Sequence, residues 1–255
     1  MRATLAGAGA WEALSGPGEG RVLASFRNAC YLAFPRGLAA LVAPRVHPGP
    51  IHVRLDEPPP AMAVGTPVRM SDGWLLLSDC AAPVAGASVW RGRLPRPERF
   101  REVAGVIPDV VAEAAGRSLV SSEGELGDRC RERLRAGDLE GLAVLLAGRG
   151  PGLTPAGDDA LMGVLLVLRT AWGPQAERRL LPVAAAAPTG VLGRSLLAWA
   201  ARGQALEPVH DLLEAVARGD LPAAARAAGA LGAVGKSSGA DVALGLGWGA
   251  GLVSG

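Results

Sequence analysis

The 255-residue chain has few of the side chains on which several common functions depend. It has six tryptophans, three phenylalanines and one tyrosine, too few for a surface on which nucleic-acid bases stack. Its three cysteines are isolated and form no CxxC, which disfavours a disulfide framework and a zinc cluster. Its three histidines form no HxxxH or HExxH pattern, which disfavours a zinc hydrolase.

An excess of basic charge is also missing. The 26 basic and 24 acidic side chains leave a net charge of +2, whereas a dedicated nucleic-acid binder carries a basic stripe. Long apolar runs are missing too, because the stretches at 160–168 and 242–253 are too short to span a bilayer. The first residues show no convincing signal peptide. We therefore expect a cytoplasmic protein that binds neither nucleic acid nor membrane.

Hydropathy patterning predicts an α+β protein with a β-rich domain over 1–98 and an α-helical domain over 99–255. Short apolar runs cut by proline and glycine predict antiparallel strands, in a sheet or a small barrel. Longer helical patterns follow, separated by glycine or proline. The predicted strands cover 22–26, 30–34, 38–42, 51–55, 67–70, 74–77 and 87–90. The predicted helices cover 100–116, 124–135, 138–147, 155–172, 176–186, 191–202, 206–218, 220–232 and 238–253.

The most informative local segment reads GLTPAGDD over 152–159. Thr154 is a good N-cap and Pro155 suits the first helical position. The apolar stripe of the following helix predicts that Asp158 faces the protein interior. Asp159 is then turned about 100° away from it. The two carboxylates are therefore not expected to act as a symmetric acid–base pair.

A second segment, GKSSGAD over 235–241, repeats this pattern. The alignment matches Thr154 with Ser237 and Asp158 with Asp241, and Ser238 and Asp241 have the spacing of a capping box. If the two helix starts converge, their N–H groups and hydroxyls form a pocket for phosphate or carboxylate. The alternative is two independent capped helices.

The same segment also carries two weak matches to other motifs. Gly235 to Gly239 fits G-x-S-x-G, but that nucleophile elbow needs a preceding strand, and here a helix is predicted. A P-loop requires a glycine at the position of Ala230. A serine hydrolase and an NTPase are therefore disfavoured.

The GLTPAGDD segment closely resembles the GLTPSGDD signature of the bacterial AllH-type family, a subunit of oxamate carbamoyltransferase in allantoin degradation. The 235–241 segment is similar to that family's second motif, Gly-x-Ser-Ser-Gly-x-Asp. Two positions depart from the family pattern, because Ala156 replaces a common serine and Lys236 replaces an expected histidine. The resemblance implies a multi-subunit enzyme of purine nitrogen catabolism that moves a carbamoyl group between oxalurate and phosphate. It also implies partners: a large subunit similar to acyl-CoA synthetases and a further companion.

Together the residues and the resemblance predict a site for a small anionic substrate. Phosphate or a carbamoyl phosphate-like group would bind the N–H groups at Gly157 and Gly239 and the hydroxyls of Thr154, Ser237 and Ser238. Catalysis would rest on Asp158, Asp241 and Lys236. Lys236 would supply positive charge, and the two aspartates would orient an amide N–H or hold magnesium. Asp158 and Asp159 are the candidate metal ligands. A non-catalytic scaffold subunit and, less favoured, a stand-alone amide hydrolase are the alternatives.

Overall fold

A computed structural model describes residues 1–120 and 124–254 of the chain. These residues divide into two compact units, Met1–Gly92 and Arg93–Gly255, and each is described by itself. Strands and one short helix occupy the first unit, and helices occupy the second, which confirms the predicted α+β class and the order of its two parts.

The first unit is built on a sheet with the strand order β8-β7-β6-β2-β3-β4-β5-β1-β9. Neighbouring strands run antiparallel except for two parallel pairs, β4 with β5 and β1 with β9. One short helix, α1 (Ala8–Ala13), follows β1. The strands are β1 (Ala3–Gly7), β2 (Gly18–Phe26), β3 (Ala29–Phe34), β4 (Gly37–Val42), β5 (His52–Leu55), β6 (Pro67–Ser71), β7 (Trp74–Leu76), β8 (Ala81–Pro83) and β9 (Ser88–Trp90).

Alternation of side chains explains which face of this sheet is covered. Along β3, Cys30, Leu32 and Phe34 are buried while the residues between them are half-buried. β5 shows the same period of two, with Val53 and Leu55 buried, as its sequence pattern predicts. The buried residues form the apolar core of this unit.

The second unit is helical, and its helices lie close to the predicted ranges. A short 3₁₀ turn at Ala104–Val106 divides the predicted helix 100–116 into two. In the part of the chain that the structure describes, none of the helices combines the length and apolar character needed to cross a bilayer. The helices are α2 (Pro97–Val103), α3 (Ile107–Ala115), α4 (Gly124–Arg135), α5 (Leu139–Leu146), α6 (Ala156–Trp172), α7 (Glu177–Ala186), α8 (Val191–Ala201), α9 (Glu207–Arg218), α10 (Leu221–Gly232) and α11 (Ser238–Val253).

Helices α6 and α11 form the centre of this unit and run parallel. Near their starts Thr154 lies beside Ser238, and further along a Cβ on Gly249 would approach Val167. A Cβ on Gly163 would collide with the carbonyl oxygen of Val242. Glycine therefore allows the two backbones to approach closely, with both N-termini at the same end.

The unit also contains an internal repeat, in which α4–α5–α6 and α9–α10–α11 correspond with a spacing of 82 residues. Gly137 and Gly219 end the first helix of each set in the left-handed conformation, at φ +67° and +73°. Asp138 and Asp220 then cap the next helix by accepting a backbone N–H three residues later, at 2.7 and 3.0 Å. The two sets therefore share the same local construction.

Candidate functional site

The parallel N-termini of α6 and α11 bring together the two sequence motifs. The hydroxyl oxygens of Thr154 and Ser238 are 3.4 Å apart, although 84 residues separate them in the chain. The sequence alignment matched Thr154 with Ser237, but it is Ser238 that lies beside it. The convergence that the anion-pocket hypothesis requires is thus present in the fold.

Neither helix is capped in the predicted way. Helix α6 begins at Ala156, Pro155 is its N-cap residue, and no side chain caps its N–H groups. The Thr154 hydroxyl instead hydrogen-bonds the carboxyl of Asp159. Helix α11 likewise begins without a side-chain cap, so the predicted capping box of Ser238 and Asp241 is wrong. The polar side chains of both motifs bind each other and distant segments instead.

Asp158 is 3% exposed, and both of its carboxyl oxygens have protein partners. Oδ1 accepts the backbone N–H of Gly148 at 2.8 Å, and Oδ2 accepts the hydroxyl of Thr189. A Cβ on Gly193 would collide with Oδ2, so α8 packs directly against this carboxyl. Asp158 therefore links the segments that contain Gly148 and Thr189 to the first turn of α6.

Asp159 is also 3% exposed, although the apolar stripe predicted that it would turn away from the side that faces the interior. The hydroxyls of Ser238 and Thr154 hydrogen-bond its carboxyl, whereas Oδ2 is buried without a partner. Burial raises the pKa of this carboxyl well above its usual range, and the charges of Asp241 and Asp158 raise it further. The two hydrogen bonds oppose this shift. Asp159 is therefore held as a neutral acid to a higher pH than an exposed aspartate.

Asp241 in α11 is fully buried, with an exposure of 0%. Its Oδ1 accepts the hydroxyl of Ser118 at 2.6 Å and the backbone N–H of Leu119 at 2.8 Å. Its Oδ2 is buried without a partner, as in Asp159. Asp241 thus binds the segment after α3 with one oxygen and leaves the other unpaired.

The internal repeat makes Asp159, and not Asp158, the equivalent of Asp241. A Cβ on Gly157 would collide with the Leu146 carbonyl oxygen, and one on Gly239 with that of Leu231. The spacing of 82 residues that relates these glycines also relates Asp159 to Asp241. The sequence alignment matched Asp158 with Asp241 and is therefore shifted by one residue.

Glycines 163 and 245 obey the same relation and show its geometry. A Cβ on Gly163 would collide with the carbonyl oxygen of Val242, and one on Gly245 with the carbonyl oxygen of Ala160. Such reciprocal contacts are those of an approximate two-fold axis between the helices. Asp159 and Asp241 are therefore equivalent side chains on either side of this axis.

Residues 146–250 match the family model described as oxamate carbamoyltransferase subunit AllH. The resemblance drawn from the two motifs is thereby confirmed over this part of the chain. No curated protein and no solved structure matches the sequence.

The segment matched by the AllH model begins at the last residue of α5 and reaches nearly to the end of α11. It contains Asp158, Asp159 and Asp241, together with the hydroxyls of Thr154 and Ser238. The Ser118 and Leu119 groups that bind Asp241 lie outside it.

Two N–H groups that were predicted to bind an anion are engaged within the protein. The N–H of Gly157 donates to the Arg149 carbonyl oxygen at 2.9 Å, and that of Gly239 donates to the Val234 carbonyl oxygen at 3.1 Å. An anion could use them only if these bonds broke. Both glycines also pack against the end of the preceding helix, where a side chain would not fit.

The other predicted residues lie nearer the surface. Lys236 is exposed in the loop before α11, and Ser237 and Ser238 are half-buried. Among residues 1–120 and 124–254, no group of three or more histidine, cysteine, aspartate or glutamate side chains could hold a metal ion. The magnesium site therefore stays a prediction.

Sequence reasoning named Asp159 only as a candidate metal ligand and missed both its burial and its equivalence to Asp241, although two signals pointed to them. Helix α6 is apolar on every side from Leu161 to Leu168, and a helix of this kind is buried all round. The Gly-Asp-Leu sequences at 137–139 and 219–221 also indicate an internal repeat with a spacing of 82 residues. Neither signal depends on the amphipathic stripe used to orient the two aspartates.

Proposed function

We propose that this chain is a subunit of an oxamate carbamoyltransferase-like enzyme that transfers a carbamoyl group between oxalurate and phosphate. One observation carries the proposal: the segment that matches the AllH family model contains both motifs, and their helix starts lie side by side. The family name supplies the reaction class, and the convergence supplies a site in which it can occur.

The reaction is a phosphorolysis. An oxygen of hydrogen phosphate attacks the ureido carbonyl carbon of oxalurate, and the carbon–nitrogen bond to the oxamate part breaks. The proton of the phosphate moves to the departing nitrogen, which leaves as the amide of oxamate, and carbamoyl phosphate is the second product. Negative charge develops on the carbonyl oxygen, and the hydroxyls of Thr154 and Ser238 stabilise it by hydrogen bonding.

Five of the predicted residues receive a role in this reaction. Lys236 is exposed beside the half-buried Ser237, so it can supply positive charge to phosphate at the entrance. Ser238 and Thr154 donate hydrogen bonds to ligand oxygens once they leave Asp159. Asp241 orients the amide, whereas Asp158 is a positioning residue because both of its oxygens are occupied.

Exposed apolar side chains next to the site support a multi-subunit assembly. Leu119, which binds Asp241 through its N–H, is 57% exposed, and Leu153, which precedes Thr154, is 39% exposed. Val191 at the start of α8 is 59% exposed. Apolar side chains grouped around a site are typical of a surface that another subunit covers. We propose an acyl-CoA-synthetase-like large subunit and a companion as the partners.

The test is phosphate-dependent release of oxamate from oxalurate by the assembled complex, with Lys236→Ala in this chain. We expect assembly to be unchanged and the KM for phosphate to rise at least about tenfold, the effect of losing roughly 1.4 kcal/mol of binding. Arg226→Ala is the matched control, because it removes an equal charge from an exposed position on α10. A KM that changes equally in both variants would contradict the assignment. Adding magnesium or a chelator to the same assay tests the metal.

A scaffold subunit is the second candidate, and one observation favours it. The unpaired oxygens of Asp159 and Asp241 are enclosed, while apolar side chains nearby are exposed. A scaffold requires that Lys236→Ala and Thr154→Val leave turnover by the assembled complex unchanged. It also requires that the complex lose its assembly when Leu119 and Val191 are changed to aspartate.

A further inference from the structure

Two aspartates in the first turns of α6 and α11 each carry a buried oxygen without a hydrogen-bond partner. Within residues 1–120 and 124–254, the buried side-chain nitrogen or oxygen atoms that lack a hydrogen-bond partner are Oδ2 of Asp159, Oδ2 of Asp241 and Nε of Arg169. The two oxygens belong to equivalent residues of the internal repeat. Leaving a buried polar group unpaired costs about 1–3 kcal/mol, and more for a charged one. Two equivalent unpaired oxygens at one helix junction therefore indicate a site that a ligand completes.

Charge decides which kind of ligand group can complete it. The first turns of α6 and α11 attract negative charge, but they already carry the three carboxyl groups of Asp158, Asp159 and Asp241. When Asp159 is ionised, a carboxylate or phosphate oxygen next to the two Oδ2 atoms would add repulsion and find no donor. An N–H donor has the opposite character and gives each oxygen the hydrogen bond that it lacks.

We propose that Asp159 and Asp241 bind the NH₂ group of a primary amide or carbamoyl ligand, with each Oδ2 accepting one N–H. The identity of the ligand rests on the proposed function, in which oxamate and the carbamoyl group of oxalurate both carry an NH₂. The two-fold relation matches the two N–H bonds of such a group to two equivalent acceptors. This assigns to Asp159 the binding of an amide, whereas the sequence motif predicted it only as a candidate metal ligand.

The surrounding contacts hold the two acceptors ready. Asp241 is fixed through Oδ1 by the Ser118 hydroxyl and the Leu119 N–H, which leaves Oδ2 for the ligand. Thr154 and Ser238 are half-buried, and hydrogen bonds from their hydroxyls partly offset the rise that burial causes in the pKa of Asp159. The two hydroxyl oxygens are 3.4 Å apart, beyond the 2.7–2.8 Å common for hydroxyl hydrogen bonds, so no strong hydrogen bond joins them to each other.

Oxamate and oxalate provide the decisive pair of probes, because they differ only by NH₂ in place of a carboxylate oxygen. We expect the full chain, in calorimetric titration, to bind oxamate at least about tenfold more tightly than oxalate. Asp159→Asn replaces Oδ2 with an N–H donor at constant shape. It should weaken oxamate at least about tenfold and make oxalate the better ligand. Asp109→Asn, the same change at an exposed position of α3, is the control that should keep the wild-type preference.

Three outcomes would overturn the proposal. These are equal or tighter binding of oxalate, absence of oxamate binding, and an unchanged preference in Asp159→Asn. Binding of magnesium alone that Asp159→Asn abolishes would also overturn it, because the pair would then be a cation site. Turnover by the assembled complex separates this proposal from the proposed function. If the complex transfers carbamoyl groups and the Asp159→Asn chain still prefers oxamate, the proposed function stands and the amide site is wrong. If the chain discriminates oxamate from oxalate but the complex shows no turnover, the amide site stands and the proposed function is wrong.

Discussion

Replacing Asp159 by asparagine should stabilise the folded protein at neutral pH. The change keeps the shape of the side chain and the oxygen that accepts from Ser238 and Thr154. It replaces a buried carboxyl whose pKa is raised by burial and by the charges of Asp241 and Asp158 with a neutral amide. The substitution therefore removes the cost of ionising a buried carboxyl beside two others.

The size of the effect follows from the cost of the unpaired groups. Removing a buried carboxyl with an unpaired oxygen should raise the free energy of unfolding by about 1–3 kcal/mol, the cost of an unsatisfied buried polar group. In a protein of this size, that corresponds to a rise in Tm of roughly 2–12 °C. Because the unpaired oxygens serve the ligand, the stabilised variant should lose oxamate binding, a common exchange of stability for function.

The pH dependence gives this prediction a second readout. Since the pKa of Asp159 is raised in the folded protein, the folded chain keeps this proton to a higher pH than the unfolded chain does. Its contribution to stability is complete below the unfolded pKa of about 3.9 and is lost as the pH rises toward the folded pKa. Asparagine does not titrate, so the Tm of Asp159→Asn relative to wild type should increase as the pH rises from the unfolded pKa toward the folded pKa of Asp159. Asp158 and Asp241, the acidic neighbours from the two packed helices, remain in both proteins.

The assay is thermal unfolding of wild type, Asp159→Asn and the exposed control Asp109→Asn at several pH values from 4 to 8. A Tm of Asp159→Asn below that of wild type at pH 7 would refute the reasoning, because Oδ2 would then be making a stabilising contact. An equal gain in Asp109→Asn would attribute the effect to net charge instead.

Three further predictions concern packing and positioning. Asp158→Ala should lower the free energy of unfolding, measured by urea unfolding, by at least about 1–3 kcal/mol, because the Gly148 N–H and the Thr189 hydroxyl lose their acceptor. An unchanged free energy of unfolding would contradict the structural role of Asp158. Gly245→Ala should destabilise by about 1–3 kcal/mol or more through collision with α6. Gly251→Ala, which meets no atom within 4 Å, should change stability by less than about 1 kcal/mol in thermal unfolding. Ser118→Ala should weaken oxamate binding in titration, because Asp241 loses a 2.6 Å hydrogen bond that fixes it; unchanged affinity would contradict that role.

Much of the helical part could be predicted because its signals are local. Glycine, proline and apolar periodicity give the observed bounds of α4 and α11, and they come within one or two residues for most of the others. Strands β1 and β8 escaped prediction because they are short and rest on pairing with other strands. β1, for example, pairs with β5 and β9, which lie about 50 and 80 residues away in the chain.

The order of the two parts, the helix boundaries and the two motifs can be read from the sequence, since all three depend on residues that are neighbours in the chain. Which aspartate carries the unpaired oxygen depends on the packing of the helices. A carboxylate in a first helical turn is exposed or buried according to what surrounds the helix, and α6 is enclosed on all sides. Helices α6 and α11 lie more than 80 residues apart in the chain, and their close approach brings Asp159 near Asp241. The same approach places the Thr154 hydroxyl beside Ser238 and Asp159, so that it does not cap α6.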